Sequence, residues 1–176
     1  SILINVPGGT LTLQDAFATS ASKNIELVNG TFNANNFNVT IGNFDSDKTT
    51  TRTLTMGSGT WTLTNTGTVW TTATTTGLTF NANTSTIKIT DTSNTANTFT
   101  GGGLTFYNLW WSRGASTASN TIVGSNTFTD FKDDGSAAHS ILFTAGITTT
   151  VTTFTVSGTA GNLITINSTT TATHAL

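Results

Sequence analysis

Large apolar residues alternate with small polar residues in short segments along most of the chain. RTLTM, WTLTN and TIKIT are typical segments, and turns rich in glycine and asparagine, such as GSGT and NTGT, separate them. Alternation with a period of two residues predicts half-buried β-strands, because successive side chains of a strand point to opposite faces. Glycine and asparagine at the breaks favour corners that need a positive φ. The pattern therefore predicts an all-β protein with many short strands.

The apolar positions recur at fixed intervals. GLTF occurs at residues 77–80 and again at 103–106. Steps of 22 or 26 residues from its phenylalanine reach further large apolar residues in both directions. Such an interval is typical of a solenoid, which stacks one residue from each turn into a buried column. The predicted structural core column contains Phe32, Leu54, Phe80, Phe106, Phe128 and Phe154.

A second apolar column follows the first at strand spacing. In three successive turns it consists of pairs separated by one residue: Val39 and Ile41, Trp61 and Leu63, Ile87 and Ile89. We expect later turns to continue this column at a less regular offset, with Ile122, with Ile141 and Phe143, and with Ile164 and Ile166. Loop length varies in these later turns while the strands persist.

These intervals predict a parallel β-solenoid (β-helix) of about six turns of 22–26 residues. An antiparallel β-sandwich or jelly roll is the alternative, because short Thr-rich strands at regular spacing also occur there. The repeated intervals favour the solenoid, since a sandwich has no reason to keep a constant spacing. We expect an N-terminal strand and cap segment at residues 1–24, with QDAFATSAS as a short capping helix. The solenoid repeat domain then occupies residues 25–176.

Composition narrows the class of function. Charged residues make up 8% of the chain, hydrophobic residues 35%, and the net charge is −2. The regularly placed apolar residues argue against disorder, and the absence of a basic stripe argues against nucleic acid as a partner. The chain has no cysteine, so it has neither disulfides nor thiolate metal sites. No apolar run is long enough to predict a membrane span.

Titratable residues gather in TDFKDDGSAAH, which contains Asp130, Asp133, Asp134 and His139. Paired carboxylates can act as general acid and base on glycosidic bonds. Asp-Asp-Gly is also a common turn, and no aligned carboxylate occurs at the neighbouring intervals. We therefore predict a non-enzyme and assign no catalytic residue.

Metal and cofactor sites have little support in the sequence. Asp45 and Asp47 alternate as calcium ligands do, but the ordered ligands and the glycine of an EF-hand loop are absent. His139 and His174 have no partners at metal-ligand spacing. We expect no metal and no cofactor.

Two adjacent tryptophans, Trp110 and Trp111, lie in the segment YNLWWS. On a strand one of them points inward and the other outward. An exposed indole can stack on a sugar ring, so both are candidate glycan contacts. The alternative is that the outer ring packs beneath the loop SRGASTASN that follows.

Threonine-rich outer faces also occur in ice-binding solenoids, which carry a regular Thr-x-Thr on one face of successive turns. Here Thr-x-Thr occurs in RTLTM and WTLTN, with a related Thr-x-Ser in FTVSG, and Lys88 and Asp91 interrupt the pattern. This interruption argues against ice binding.

Several segments carry a resemblance to known sequences: GTFNANNFNV, GGGLTFYNL, GSNTFTDFKDD and FTVSGTAGNLITINS. They resemble the Thr/Gly/Asn-rich, solenoid-like β-repeat proteins of environmental phages and aquatic metagenomes. The resemblance covers the chain from about residue 29 onward. It implies an extracellular or virion-surface structural role, and it transfers no catalytic or binding residue.

A solenoid without caps leaves open β edges that invite another copy to continue the stack. The opening segment SILINV is a candidate for a strand donated to a neighbour, or for one that covers its own end. We expect a non-enzymatic extracellular structural protein, a segment of a phage fibre or surface filament that associates end to end with copies of itself. A carbohydrate-binding adhesin displayed on the solenoid is the alternative.

Overall fold

A computed structural model describes residues 1–20 and 22–176 of the chain. Seventeen strands and no helix occur within these two ranges. The strands are β1 (Ile2–Thr12), β2 (Phe17–Ala18), β3 (Ile25–Asn33), β4 (Val39–Ile41), β5 (Phe44–Asp45), β6 (Arg52–Thr55), β7 (Thr60–Leu63), β8 (Gly67–Thr71), β9 (Leu78–Asn81), β10 (Thr86–Ile89), β11 (Asn97–Thr100), β12 (Thr105–Trp111), β13 (Asn120–Val123), β14 (Thr127–Asp133), β15 (His139–Phe143), β16 (Thr150–Val156) and β17 (Ile164–Ser168).

Every pairing between these strands is parallel. The chain coils through about seven turns, and each turn adds one strand to a seven-stranded sheet. The predicted parallel β-solenoid is therefore confirmed, and the antiparallel alternative is wrong. Hydrogen bonds between neighbouring turns keep the intervals of the sequence: 22 residues separate Asn38 from Thr60, and 26 separate Gly57 from Asn83.

The coil has three faces, named here by their strands. Face A contains the first halves of β1 and β3, followed by β5, β8, β11, β13, β15 and β17. Face B is the seven-stranded sheet β2, β4, β7, β10, β12, β14 and β16. Face C contains the second halves of β1 and β3, with β6 and β9. The chain passes from A to C to B in each of the first four turns.

Face A supplies an inward column of six buried residues. Ile25, Phe44, Trp70, Phe99, Ile122 and Phe143 follow one another in register, and all are buried. The aromatic rings stack, with 4.4 Å between the ring centroids of Phe44 and Trp70. The expectation that Ile122, Ile141, Phe143, Ile164 and Ile166 continue the second column is wrong. Those residues lie on β13, β15 and β17 of face A, because the corners between the faces differ in length from turn to turn.

Face B contains the predicted second column. Val39, Trp61 and Ile87 are paired in register, as are Ile41, Leu63 and Ile89, which confirms the prediction for these three turns. The next turn continues the two rows with Leu109 and Trp111, which the sequence pattern did not assign to the core. Phe131 and Phe154 extend the first row to the last turn.

The first predicted column does not run as one ladder. Phe32, Leu54 and Phe80 are paired on face C, whereas Phe106 and Phe128 are paired in the first halves of β12 and β14. No strand pairing joins β9 to β12 among the described residues, although the ring centroids of Phe80 and Phe106 lie 5.0 Å apart. Phe128 pairs with Val151, and Phe154 pairs with Phe131 instead. The column changes because β12 runs through the corner that separates β9 from β10 in the preceding turn.

The N-terminal segment belongs to the coil. Strand β1 pairs in parallel with β3, and β2 pairs with β4, so together they form the first turn. SILINV thus covers the end of its own coil. The expected capping helix is absent from residues 14–20, which form a bend and a two-residue strand, while Ala21 lies outside the described residues. Among the described residues no helix is long and apolar enough to cross a membrane.

Candidate functional site

The titratable residues of TDFKDDGSAAH divide between the inside and the outside of the coil. Asp133 and His139 are buried, with 2% and 7% of their surfaces exposed. The Asp133 Oδ2 atom lies 3.0 Å from Nε2 of His139 and accepts a 2.8 Å hydrogen bond from Nδ2 of Asn120. Nδ1 of His139 faces the carbonyl of Ala137 at 2.8 Å. Both ring nitrogens therefore face acceptors, an arrangement that favours the protonated imidazolium.

This geometry sets the pKa of His139. The hydrogen bond to Asp133 raises the pKa above its usual value of 6.5, burial opposes the shift, and the Ala137 carbonyl adds to it. The positive charge of Arg113 lowers it by a smaller amount. His139 and Asp133 thus form a buried ion pair when the imidazole is protonated.

Arg113 extends the pair into a larger polar network. Its guanidinium donates to Asn120 Oδ1 at 2.9 Å and to Asp91 Oδ2 at 3.0 Å, while Nε donates to the carbonyl of Asp91 at 2.8 Å. Asn97 also donates to Asp91 Oδ2, at 3.2 Å. We call this set of Asp91, Asn97, Arg113, Asn120, Asp133 and His139 the polar network. It lies at the corner where the chain passes from face B to face A, and it joins successive turns.

The other two acidic residues of the motif lie on the outside of face B. Asp134 is exposed and forms a 3.3 Å ion pair with Lys132, and Asp130 projects from β14. The four predicted residues therefore do not converge on one cleft. Asp133 is held by partners on both of its oxygens, since Oδ1 accepts a 3.0 Å hydrogen bond from the amide of Gly135. This arrangement holds turns together and presents no acid and base pair to a substrate.

The two adjacent tryptophans also divide. Trp111 is fully buried in the core and offers no surface to a glycan. Trp110 points outward from face B, but an ammonium lies on the ring from each neighbouring turn: Lys88 Nζ at 3.8 Å from the ring centroid and Lys132 Nζ at 4.1 Å. Such cation–π contacts occupy the ring surface that a sugar would use. The ring of Trp111 is therefore closed to a sugar, whereas the half-buried ring of Trp110 is covered in part by two lysine ammonium groups, and its glycan contact stays a prediction.

The candidate calcium ligands are engaged within the chain. Lys48 lies 3.0 Å from Glu26 and 3.8 Å from Asp45, and Asp47 accepts a 2.9 Å hydrogen bond from the amide of Thr74. His174 stacks on Phe143 with 5.5 Å between ring centroids. Within the described part of the chain, no group of three or more histidine and acidic residues could hold a metal ion.

Exposed apolar side chains are concentrated at the two ends of the coil. Among the residues that the structure describes, seven large apolar side chains are exposed, and only Tyr107 lies in the middle turns. Leu11 continues the inward column of Phe32, and Ile166 continues that of Ile141, yet each is about 40% exposed. They are exposed because no further turn covers them. The other four are Leu3, Val6, Leu163 and Leu176.

In the described part of the chain, both ends also carry unpaired strand edges. At the N-terminal end, β1 and β2 pair only with strands of the second turn. At the C-terminal end, β16 and β17 pair only with the preceding turn. An edge strand presents a row of unpaired N–H and C=O groups to any strand of matching direction. These open ends are the candidate functional site. The sequence predicted open edges on an uncapped solenoid and placed SILINV at the N-terminal one.

No known protein-family model, curated protein or solved structure matches this chain. The function therefore has to be inferred from the chain's own residues and their geometry.

Proposed function

We propose that the protein is a structural module of a fibre or surface filament that stacks end to end with copies of itself. The observation that carries this proposal is the position of the exposed apolar residues: Leu11 and Ile166 are column members left uncovered at opposite ends of the coil. Contact between the two ends buries both residues. Burial of apolar surface is the main favourable term in protein association.

The direction of the strands favours a head-to-tail contact. All strands of the coil run parallel, so the C-terminal end of one copy meets the N-terminal end of the next with the same strand polarity. Strand β17 then lies against the face A part of β1, and β16 lies against β2. Such a head-to-tail contact uses two different surfaces and does not close by symmetry, so it propagates as a filament.

Two single substitutions test the contact. Leu11→Lys blocks the N-terminal end and Ile166→Lys blocks the C-terminal end, because each introduces a charge that would have to be buried. Negative-stain electron microscopy and sedimentation velocity should show filaments or long oligomers for the unmodified chain and monomers for either variant. Tyr107→Lys is the matched control, since Tyr107 has similar exposure but lies on a flank. It should leave assembly unchanged.

A mixture of the two variants separates head-to-tail stacking from other modes of association. Each variant keeps one intact end, so an equimolar mixture should form dimers and nothing larger. Dimers of Leu11→Lys alone would indicate contact between like ends. A monodisperse monomer for the unmodified chain at high concentration would reject the proposal.

The carbohydrate-binding alternative has no support from the positions of Trp110 and Trp111. The extracellular location and the phage origin stay predictions of the sequence, as does the absence of enzymatic activity.

A further inference from the structure

Face C displays a regular two-row array of hydroxyl and amide side chains. Its strands read Thr-x-Thr or Thr-x-Asn in four successive turns, and the intervening residue points into the core. The pairings place equivalent positions directly above one another. One row is Thr10, Thr31, Thr53 and Thr79, and the other is Thr12, Asn33, Thr55 and Asn81.

Strand geometry fixes the spacing of this array. Adjacent strands lie about 4.8 Å apart, and residues two positions apart on one strand are separated by about 6.6 Å. The eight side chains therefore form a near-rectangular lattice. The backbone thus holds the hydroxyl and amide groups of the array in a regular two-dimensional order, which is what a surface needs to hold water molecules in a lattice.

The chemistry of face C differs from that of its neighbours. All eight positions are uncharged, and each is at least partly exposed. Face A carries the cluster of Glu26, Asp45 and Lys48, and face B carries Lys88 and Lys132 about Trp110. A charged group orders water around itself, whereas the methyl and hydroxyl groups of threonine together can hold water in the positions of a lattice. Threonine is also restricted at χ1, so the array loses little side-chain freedom on binding.

Face C is held rigid at both of its corners. At the corner with face A, Arg52 donates to the carbonyls of Thr50 and Thr76 at 3.0 and 2.9 Å, one from each of two successive turns. At the corner with face B, Asn36 accepts a 3.0 Å hydrogen bond from the amide of Ser58, and Asn83 accepts one of 3.1 Å from Gly57. Contacts between turns on both sides therefore fix the distances between the strands of the array.

We propose that face C is an ice-binding surface, with the eight threonine and asparagine side chains as the binding residues. The array has no exposed aromatic ring in its eight positions, which separates it from a surface that stacks on sugars. The site lies on the flank of the coil and so is distinct from the ends that stack. In a filament it would be repeated once in every copy.

The test measures ice recrystallisation and the partition of fluorescently labelled protein into a growing ice front. Thr53→Lys places a charge at the centre of the array, between Thr31 and Thr79. Thr62→Lys is the matched control, because Thr62 is an outward, equally half-exposed threonine on β7 of face B. We expect the unmodified chain and Thr62→Lys to enter ice and inhibit recrystallisation, and Thr53→Lys to lose both activities several-fold.

Circular dichroism and thermal denaturation verify that each variant is folded. If Thr53→Lys does not fold, Thr79→Lys replaces it at the more exposed end of the same row. Exclusion of the unmodified chain from ice would overturn the proposal, as would equal losses in the face B and face C variants. Binding to crystalline cellulose or chitin without any effect on ice would assign the array to a polysaccharide and reject ice. The end-blocked variant Ile166→Lys should keep its affinity for ice, so this proposal and the filament proposal fail independently.

Discussion

Two buried arginines hold two different corners of the coil, and they do so with different partners. Arg52, in the N-terminal half, donates to the carbonyls of Ser46, Thr50, Thr74 and Thr76 and to the hydroxyl of Ser46. It forms no ion pair with any of the described residues. Most of the N–H donors of Arg52 are therefore satisfied by backbone carbonyls.

Arg113, in the C-terminal half, adds a buried carboxylate to the same arrangement. It donates to the carbonyls of Asp91, Ser93 and Thr95, and its guanidinium also pairs with the Asp91 carboxylate at 3.0 Å. Asn120 then links it to Asp133 and His139. The Arg52 corner has no direct ionic partner among the described residues, although the charges of Asp45 and Asp47 act on Arg52 through space, whereas the Arg113 corner is linked by hydrogen bonds to His139. The same cation therefore closes one corner mainly with backbone carbonyls and the other with a carboxylate as well.

The largest expected effect is the loss of stability on truncating a buried phenylalanine, a feature that both halves of the coil have. Phe32 and Phe106 lie in different halves of the coil, and each is 1% exposed. Truncation to alanine removes a buried ring and leaves a cavity, so Phe32→Ala and Phe106→Ala should each lower the free energy of unfolding by about 3 to 5 kcal/mol. Chemical denaturation measures this change in the free energy of unfolding. Unchanged midpoints would mean that the apolar columns do not hold the turns together, and a loss in only one half would mean that the halves unfold separately.

The second-largest expected effect is a difference in stability loss between removing Arg113 and removing Arg52. Arg113→Met leaves the buried Asp91 carboxylate without its cation, which should cost about 3 to 5 kcal/mol. Arg52→Met leaves the carbonyls of Thr50 and Thr76, which are on exposed residues that water can reach, and one buried carbonyl at Ser46, so we expect a loss of about 1 to 3 kcal/mol. Methionine retains most of the side-chain volume in both variants. Equal losses in denaturation midpoint would remove the distinction between the corners.

The sequence predicted the coil and part of its core. The face B pairs from Val39 to Ile89 were correct because the turns that join them keep intervals of 22 and 26 residues. Phe154 was misassigned because it lies 26 residues after Phe128, whereas the residue in register is Val151. An interval can match by coincidence where loop length varies. Trp111 was missed because two adjacent tryptophans cannot both point inward, and the pattern did not decide between them.

The polar network and face C were both missed by the sequence analysis, for two different reasons. Contacts among Asp91, Arg113 and His139 cross turns at a corner, and no local pattern encodes how a corner folds. Face C could have been predicted from the sequence. Once Phe32, Leu54 and Phe80 were assigned inward, the residues on either side of each had to point outward, and these are threonine or asparagine in every case. The interruption at Lys88 and Asp91 concerned a different face.

The smallest expected effect is the pH dependence of the Arg113 corner. The pKa of His139 is raised in the folded state by its hydrogen bond to Asp133. A raised pKa contributes stability that is fully present below the unfolded value of 6.5 and is lost as the pH rises through the folded value. The free energy of unfolding should therefore be higher at about pH 6 than at about pH 8.5, by an amount that His139→Gln removes.

Hydrogen exchange can locate this effect in one half of the coil. Amides of β13 and β15, which flank the Arg113 corner, should exchange faster at the higher pH after correction for the intrinsic rate. Amides of β6, which begins at Arg52, should show no such change, because the acidic residues near that corner, Asp45 and Asp47, stay ionised between about pH 6 and about pH 8.5 and no histidine among the described residues contacts Arg52. A uniform change along the coil would place the pH dependence elsewhere, and protection that rises with pH at β13 would contradict the sign derived from the His139 and Asp133 pair.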